Sequence, residues 1–325
     1  MGGSEMWADA VFEGGGTKGI GLVGALSVAE EHGYRWKKVA GTSAGSIIAT
    51  LSAAGYTAKE LYEILLQKNF ADFLVPSWYG RIPYLGPALS LWIKKGIYSG
   101  DALEKWVEQL LLKKGIVSFQ DFGDEVPVHL IASDITRGRL LDLPNDLTEY
   151  GYDPGLFPVA KVVRMSCSIP YFFEPVRLLH KPTGLTCYIV DGAVLSNFPV
   201  WIFDKENPRW PTLGFRLFSP DEKPFHEIDG PFSMFISIFF TMMDAHDNRY
   251  IKEHDEVRTI QVPTLGVKLT DFSISSERKR ELFQAGAQAA EAFFSKWDYH
   301  KYLAARTQKQ GISYKLRPSD QAESG

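Results

Sequence analysis

The chain of 325 residues is long enough for one large α/β domain, and 45% hydrophobic with 23% charged residues is typical of a globular protein with a sizeable core. A net charge of −4 at pH 7 and the lack of a basic stripe argue against a nucleic-acid partner. No apolar stretch reaches the roughly 18 residues that a transmembrane helix requires. The two cysteines, Cys167 and Cys187, are expected to be reduced core residues.

The N-terminal stretch from Met1 to Met6 contains neither a positively charged region nor an apolar core, which argues against a signal peptide. Gly2 would allow myristoylation, but Met6 occupies the position where serine or threonine is required. We therefore expect a cytoplasmic protein that contacts membranes, if at all, only at their surface.

Apolar runs bounded by turn residues predict the secondary structure. Strands are predicted over 8–13, 126–134, 138–143, 188–190, 212–218 and 258–262, and another ends at 39–40. Helices are predicted over 20–33, 44–55, 57–68, 99–114, 162–168, 233–250 and 277–297. Thr57 with Glu60 indicates a capping box, and the dense apolar run 232–243 indicates a buried helix. We expect one domain over 8–300 and a polar, flexible tail over 301–325.

The segment 70–97 is too apolar for an ordinary loop and follows no helical period. Its aromatic and aliphatic residues are interleaved with Pro76, Pro83 and Pro87. Two interpretations fit this pattern: an insertion folded over the core, or a lid or acyl-chain wall that could touch a membrane surface.

A glycine-rich loop follows the first predicted strand and precedes a helix: Gly14-Gly15-Gly16-Thr17-Lys18-Gly19. Its backbone N–H groups form a cradle for an anion. A dinucleotide would need an acidic residue about 20 residues further on, where Lys37 and Lys38 stand instead. A Walker loop would need serine or threonine after the lysine, but here Thr17 precedes Lys18. An oxyanion hole formed by the N–H groups of Gly15 and Gly16 fits the loop better.

The pentapeptide Gly41-Thr42-Ser43-Ala44-Gly45 lies between a short apolar run and the start of a helix. That context is typical of a nucleophile elbow, in which a sharp turn exposes one serine and small residues let the backbones pass closely. The helix N-terminus also favours a developing oxyanion. The alternative is an ordinary strand-to-helix turn with a capping serine.

Asp191-Gly192-Ala193 follows the apolar run Tyr188-Ile189-Val190, so the aspartate is expected at a strand end, where sites lie in α/β sheets. By itself the motif is more typical of an Asp-Gly turn. Beside Ser43 and the glycine loop, Asp191 becomes the candidate general base, and Asp134 is the next carboxylate to consider. A triad hydrolase would need a histidine after the aspartate, and the available ones are His226, His246, His254 and His300.

The three motifs in this order resemble the patatin-like phospholipase family. Ser166-Cys167-Ser168-Ile169-Pro170 and Asn197-Phe198-Pro199 support the resemblance, which covers about residues 8–200. It implies a three-layer α/β/α fold with a central, mostly parallel sheet. It also implies lipid-ester hydrolysis by a serine–aspartate dyad without a histidine, metal or cofactor. By motif match, Ser43 is the nucleophile, Asp191 is the base, and the loop Gly14–Gly19 is the oxyanion hole.

The sequence therefore predicts a serine acyl hydrolase that cleaves phospholipids or other lipid esters. Two alternatives remain open. One is a non-catalytic lipid- or acyl-binding protein that retains the pocket, and the other is a nucleotide-dependent enzyme that uses the glycine loop. Residues after about 200 carry no motif that assigns them a role.

Overall fold

The computed structural model describes residues 5–76, 93–123, 128–205, 208–219, 228–230, 233–235, 237–239, 241–242, 253–269 and 271–309. Its strands are β1 (Met6–Phe12), β2 (Tyr34–Thr42), β3 (Val75–Pro76), β4 (Gly96–Ser99), β5 (Val128–Asp134), β6 (Arg139–Leu143), β7 (Tyr171–Phe173), β8 (Val176–His180), β9 (Leu185–Asp191), β10 (Thr212–Phe218) and β11 (Thr259–Pro263). Its labelled helices are α1 (Gly19–Glu31), α2 (Ala44–Ala53), α3 (Ala58–Gln67), α4 (Asp101–Leu112), α5 (Val159–Ser166), α6 (Glu253–Glu256), α7 (Ser276–Phe294) and α8 (Tyr299–Lys309).

The central sheet has the strand order β11-β10-β1-β2-β5-β9-β8, and β6 pairs with β5 outside this path. The pairings from β11 to β5 are parallel, whereas those of β5 with β9, β5 with β6 and β8 with β9 are antiparallel. Strands β3, β4 and β7 form a separate small sheet. The fold is therefore the expected three-layer α/β/α arrangement around a mostly parallel sheet.

Strand β1 is buried on both faces, which explains its nearly continuous apolar sequence. Ala10 and Phe12 belong to the main core beneath the helices, whereas Val11 points to the opposite face. There Val11 packs with Phe198 and Phe203. The segment that follows Asp191 along the chain thus helps to cover the second face of the sheet.

The parallel strands β1 and β2 bring two of the sequence motifs to one edge of the sheet. Strand β1 leads into the glycine loop and α1, and the adjacent β2 leads into Ser43 and α2. Strand β9 approaches from the other direction, because it runs antiparallel to β5. Strand β5 extends beyond the end of β2, and β9 pairs with that extension. Asp191, at the end of β9, therefore lies at the same level of the sheet as the elbow at the end of β2.

Several predictions from the sequence are confirmed. The strand over 212–218 has the predicted bounds, and Thr57 with Glu60 forms the predicted capping box. Both cysteines are free and buried. The search for membrane-spanning helices covers the described ranges alone, and no helix there has the length and apolar character needed to cross a membrane.

Other predictions need correction. The helix expected from 162 begins at Val159, because Pro158 provides the extended N-cap residue. Strands β7 and β8 were not anticipated. The apolar helix predicted to be buried has described helical residues over 233–235, 237–239 and 241–242, and one side of it is exposed at Met234, Ile238 and Met242. Because these three residues are spaced four apart, their side chains lie on one face of the helix.

The predicted tail and the aromatic segment are only partly covered by the structure. Residues 301–309 belong to α8, where the fully buried Tyr302 accepts a hydrogen bond from the N–H of Thr212, so this part of the expected flexible tail is a helix. Residues 310–325 lie outside the described residues. In the segment 70–97, positions 77–92 also lie outside them, and the described Phe70 and Phe73 are buried in the main core.

Candidate active site

Ser43 sits in a strained backbone conformation with φ 52° and ψ −126°. Few residues other than glycine adopt a positive φ, and such strain persists only where the surrounding structure enforces it. The close passage of backbones expected for an elbow is present. A Cβ atom added to Gly41 would lie 2.3 Å from the carbonyl oxygen of Gly45, and one added to Gly45 would lie 2.3 Å from that of Phe12. The turn therefore requires glycine on both sides of Ser43.

Hydrogen bonds to both peptide groups of Ser43 hold this conformation. Its N–H donates to Oγ of Ser166 at 3.0 Å, and that hydroxyl donates to the carbonyl of Ile131 at 2.6 Å. The carbonyl of Ser43 accepts bonds from Oγ of Ser46 at 2.6 Å and from Sγ of Cys167 at 3.2 Å. Buried side chains of α2 and of the end of α5 thus fix the elbow.

Asp191 is 1% exposed and lies beside Ser43. Its Oδ1 accepts a hydrogen bond from the N–H of Ala193 at 2.9 Å, whereas Oδ2 has no partner among the described residues. Burial raises the pKa of Asp191 to about 7, although the Ala193 N–H lowers it. The Ser43 hydroxyl also lowers it, because it lies close to the carboxylate without a hydrogen bond of ordinary geometry. One carboxylate oxygen is therefore oriented, and the other is free to accept a proton near neutral pH.

Asp134, the other carboxylate considered, is already engaged. Its Oδ1 accepts hydrogen bonds from the N–H groups of Thr136 and Arg137, and its Oδ2 accepts one from the hydroxyl of Tyr150 at 2.5 Å. These contacts identify Asp134 as the residue that fixes the turn between β5 and β6.

No described histidine lies in the cavity beside Ser43. Of the four histidines that follow Asp191, His300 is exposed on α8. His226 and His246 lie outside the described residues, and the side chain of His254 is not described.

The glycine loop keeps two of its N–H groups unpaired. The N–H of Gly14 donates to the carbonyl of Asn197, that of Thr17 to Leu269, that of Lys18 to Gly15, and that of Gly19 to Gly16. The N–H groups of Gly15 and Gly16 have no acceptor among the described residues. Of the six positions Gly14–Gly19 assigned to the oxyanion hole, only these two offer free donors.

A cavity of about 80 Å³ opens beside the elbow. The side chains of its lining are apolar except for Ser43, Thr17, Cys167 and the indole nitrogen of Trp106. The full lining is Gly16, Thr17, Gly19, Ile20, Ser43, Ala44, Ile47, Ile48, Leu65, Phe70, Phe73, Leu103, Trp106, Cys167, Ile169, Phe173 and Phe272. An apolar wall beside a single serine hydroxyl suits a hydrocarbon chain better than a nucleotide.

A family model described as Patatin-like phospholipase matches residues 10–204, which is more than half of the chain and includes all three motifs. The chain belongs to the patatin-like phospholipase family. No group of three or more histidine, cysteine, aspartate or glutamate side chains in the described part of this patatin-like protein is placed to hold a metal ion.

The chain is also similar to two curated relatives and to one solved structure. It is 45% identical over 296 residues to Uncharacterized protein YqhO of Bacillus subtilis, covering 90% of this chain and 100% of the relative. It is 26% identical over 229 residues to Probable lipid hydrolase 463L of Invertebrate iridescent virus 6, covering 67% of this chain and 72% of the relative. VipD from Legionella pneumophila shares the fold with a TM-score of 0.56 at 17% identity, covering 89% of this chain and 66% of that one.

Some residues that shape the site could not be assigned a role from the sequence. The bond from Ser43 to Ser166 joins positions far apart in the chain, as do the contacts of Asn197 with the glycine loop. Both residues fall in short motifs that carried the family resemblance, but nothing local indicated which atoms they bind. Phe70 and Phe73 were part of the aromatic segment, and their cavity-lining position agrees with an acyl-chain wall.

Proposed function

We propose that this protein is a serine acyl hydrolase that cleaves ester bonds of phospholipids or other lipid esters with a Ser43–Asp191 dyad. The observation that carries the proposal is the unpaired, buried Oδ2 of Asp191 beside a serine in a strained turn. Burying an unpaired carboxylate oxygen destabilises the fold, and so does a positive φ at serine. Both features are what a poised base and its nucleophile require.

The first half-reaction forms an acyl-enzyme. The Oγ of Ser43 attacks the ester carbonyl while Oδ2 of Asp191 accepts the hydroxyl proton. The carbonyl oxygen becomes an oxyanion, which the N–H groups of Gly15 and Gly16 stabilise. The tetrahedral intermediate then collapses, the bond to the alcohol breaks, and the alcohol leaves with the proton held by Asp191.

The second half-reaction releases the acid. A water molecule attacks the acyl carbonyl, Asp191 takes its proton, and the same two N–H groups hold the second oxyanion. Collapse expels the Oγ of Ser43, which recovers the proton from Asp191. The net result is the consumption of one ester and one water and the release of one alcohol and one carboxylic acid.

The apolar cavity supports a lipid acyl group as the part of the substrate that binds. Phe70, Phe73, Trp106 and Phe173 line it, and Ser43 lies among the same lining residues. A hydrocarbon chain bound in this cavity would be removed from contact with water, which is favourable. Its ester carbonyl would then lie at the serine. The name of one relative, Probable lipid hydrolase 463L, supports the same substrate class.

The proposal is tested with the purified protein on a soluble p-nitrophenyl ester and on phosphatidylcholine vesicles. We expect ester hydrolysis and fatty-acid release by the wild type and neither by Ser43→Ala. Ser295→Ala is the matched control, because that hydroxyl donates to the carbonyl of Ala292 at the exposed end of α7. An acyl-binding protein would retain affinity for a fatty acid and hydrolyse neither ester, and that result would contradict the proposal.

A further inference from the structure

Asn197 binds the glycine loop through its backbone and through its side chain. Its carbonyl accepts a hydrogen bond from the N–H of Gly14 at 3.1 Å, and its Nδ2 donates to the carbonyl of Gly14 at 3.3 Å. Both peptide groups of Gly14 are therefore tied to the same residue. Asn197 is itself only 3% exposed, so neither contact is exchanged readily for water.

Glu13 fixes the orientation of the Asn197 side chain. Nδ2 of Asn197 also donates to Oε1 of Glu13 at 3.3 Å, while Oε2 of Glu13 accepts a hydrogen bond from the N–H of Leu217 on β10. The guanidinium of Arg216 lies 3.7 Å from Oε1. The amide nitrogen faces these two acceptors, the carboxylate of Glu13 and the carbonyl of Gly14, so the amide oxygen Oδ1 faces the Cα of Gly14 instead.

The Oδ1 of Asn197 is buried, has no hydrogen-bond partner among the residues that the structure describes, and lies against the backbone of Gly14. A Cβ atom added at Gly14 would lie 2.2 Å from this oxygen. The contact thus limits where Gly14 can sit, in addition to the two hydrogen bonds that hold its peptide groups. An unpartnered buried amide oxygen costs stability, which indicates a constraint other than stability on this position.

We propose that Asn197 is a positioning residue that holds the glycine loop so that the N–H groups of Gly15 and Gly16 face the oxyanion; this inference rests on the proposed function. The three consecutive glycines at 14–16 have no side chains to restrain them, and ordering them costs more conformational entropy than ordering other residues. Stabilisation of an oxyanion depends on donors that are already in place when the charge develops. Asn197 supplies that restraint from outside the loop.

The same short segment also contacts the elbow. The hydroxyl of Thr42 donates to the carbonyl of Ser196 at 3.1 Å, next to Asn197. The chain that begins at Asp191 therefore reaches the nucleophile turn through Ser196 and the glycine loop through Asn197. This segment therefore fixes the positions of the nucleophile, the base and the oxyanion donors relative to one another.

The test compares Asn197→Ala and Asn197→Leu with the wild type. Leucine shares the γ-branched shape of asparagine, although it is larger, and makes no hydrogen bonds, so comparing it with alanine separates lost packing from lost restraint. We expect kcat on a soluble p-nitrophenyl ester to fall about 10- to 100-fold with KM within about twofold, somewhat less than the loss of a whole oxyanion donor. Thr259→Val is the control, because it removes one buried hydrogen bond, to the carbonyl of Asp255, on the distant strand β11.

A second readout separates positioning from general loss of structure. An alkyl trifluoromethyl ketone forms a tetrahedral adduct whose oxyanion occupies the same site as that of the intermediate. Its inhibition constant should rise by the same factor by which kcat/KM falls in both Asn197 variants, and should not change in Thr259→Val. Folding is checked by circular dichroism and by the melting temperature.

The outcomes distinguish this inference from the proposed function. If the wild type hydrolyses no ester, the proposed function fails first. If the wild type is active and either folded variant keeps its kcat and its inhibition constant, Asn197 is a structural residue and the inference is overturned. The inference is also overturned if the loss of kcat in the Asn197 variants only follows the loss in melting temperature and Thr259→Val loses as much kcat.

Discussion

Ser43 and Asp191 follow two strands, β2 and β9, that run in opposite directions and pair end to end with the same edge of strand β5. Strand β6 occupies the other edge of β5. Thr42, the residue before Ser43, pairs with Ile131 in the parallel register of β2 and β5. Asp191 pairs with Ala132, the next residue of β5, in the antiparallel register of β5 and β9. A shift of one residue in either pairing would turn neighbouring side chains to the opposite face. The register of β5 therefore sets whether the two side chains can meet.

Replacing Asp191 by asparagine should lower kcat far more than it changes KM. The amide is nearly isosteric but cannot take the serine proton, and proton transfer is needed only in the transition state. We expect a loss of about 10²–10⁴-fold, the usual contribution of a positioned base. The measurement is steady-state kinetics on one soluble ester, with circular dichroism as the folding control.

The same assay separates a dyad from a triad. Alanine variants at His226, His246, His254 and His300 should stay close to wild-type activity. A folded but inactive histidine variant would contradict the dyad. Near wild-type activity of Asp191→Asn would mean that another group is the base.

Activity should depend on pH through Asp191. Burial raises the pKa of this carboxyl to about 7, and only the deprotonated form can act as a base. We expect kcat/KM to be flat above about pH 7 and to fall about tenfold per unit below it. The profile is measured on an ester that does not itself titrate in this range. A flat profile down to pH 5 would show that Asp191 does not limit the reaction.

The raised pKa of Asp191 should also lower the stability of the folded protein as pH rises, whereas it makes activity increase with pH. The pKa of Asp191 is about 7 in the folded protein, whereas an unfolded aspartate has a pKa of about 3.9. Between these values the folded state binds more protons, so the contribution of Asp191 to the free energy of unfolding decreases as pH rises. We therefore expect Asp191→Asn to melt higher than the wild type at pH 8, and by a larger margin there than at pH 5. A margin independent of pH would contradict the raised pKa.

Ser166→Ala should impair both stability and catalysis. Removing this hydroxyl takes away the acceptor of the buried Ser43 N–H and one bond to the carbonyl of Ile131, at a cost of about 1–3 kcal/mol. The strained elbow also loses a restraint, so kcat should fall as well. Ser168→Ala is the matched control, because that buried hydroxyl donates only to the carbonyl of Arg164. Equal effects of the two variants on kcat would show that Ser166 has no special role at the elbow.

Activity should survive excess EDTA and need no added nucleotide. The proposed reaction uses only a serine, a carboxylate and backbone N–H groups, and no step is assigned to a metal. Hydrolysis of a soluble ester is measured before and after chelation. Loss of activity that calcium restores would contradict this mechanism.

The sequence predicted best those features of the candidate site that depend on residues adjacent in the chain. The elbow requires glycine on both sides of Ser43, and the free donors lie in three consecutive glycines, so both features can be read from short motifs. Asp191 lies at the end of a strand, as the sequence predicted. The sequence did not indicate that this strand runs antiparallel to β5, which only the three-dimensional pairing shows.

The supporting contacts could not be predicted, because they join residues that are distant in the chain. Ser166 binds the backbone of Ser43, and Asn197 binds that of Gly14. Hydrogen bonds of this kind leave no periodic pattern and no local signature. The exposed face at Met234 and Ile238 was missed because the run 232–243 contains no charged residue that would indicate an exposed side.

The most direct test of the central claim is labelling with a fluorophosphonate probe, followed by peptide mass spectrometry. The probe reacts with a serine only where a base activates it and an oxyanion site holds the phosphonyl oxygen. We predict a single modified residue, Ser43, with labelling abolished in Ser43→Ala and strongly slowed in Asp191→Asn. Labelling of a different residue, or no labelling of a folded protein, would contradict the assignment of Ser43 as the nucleophile.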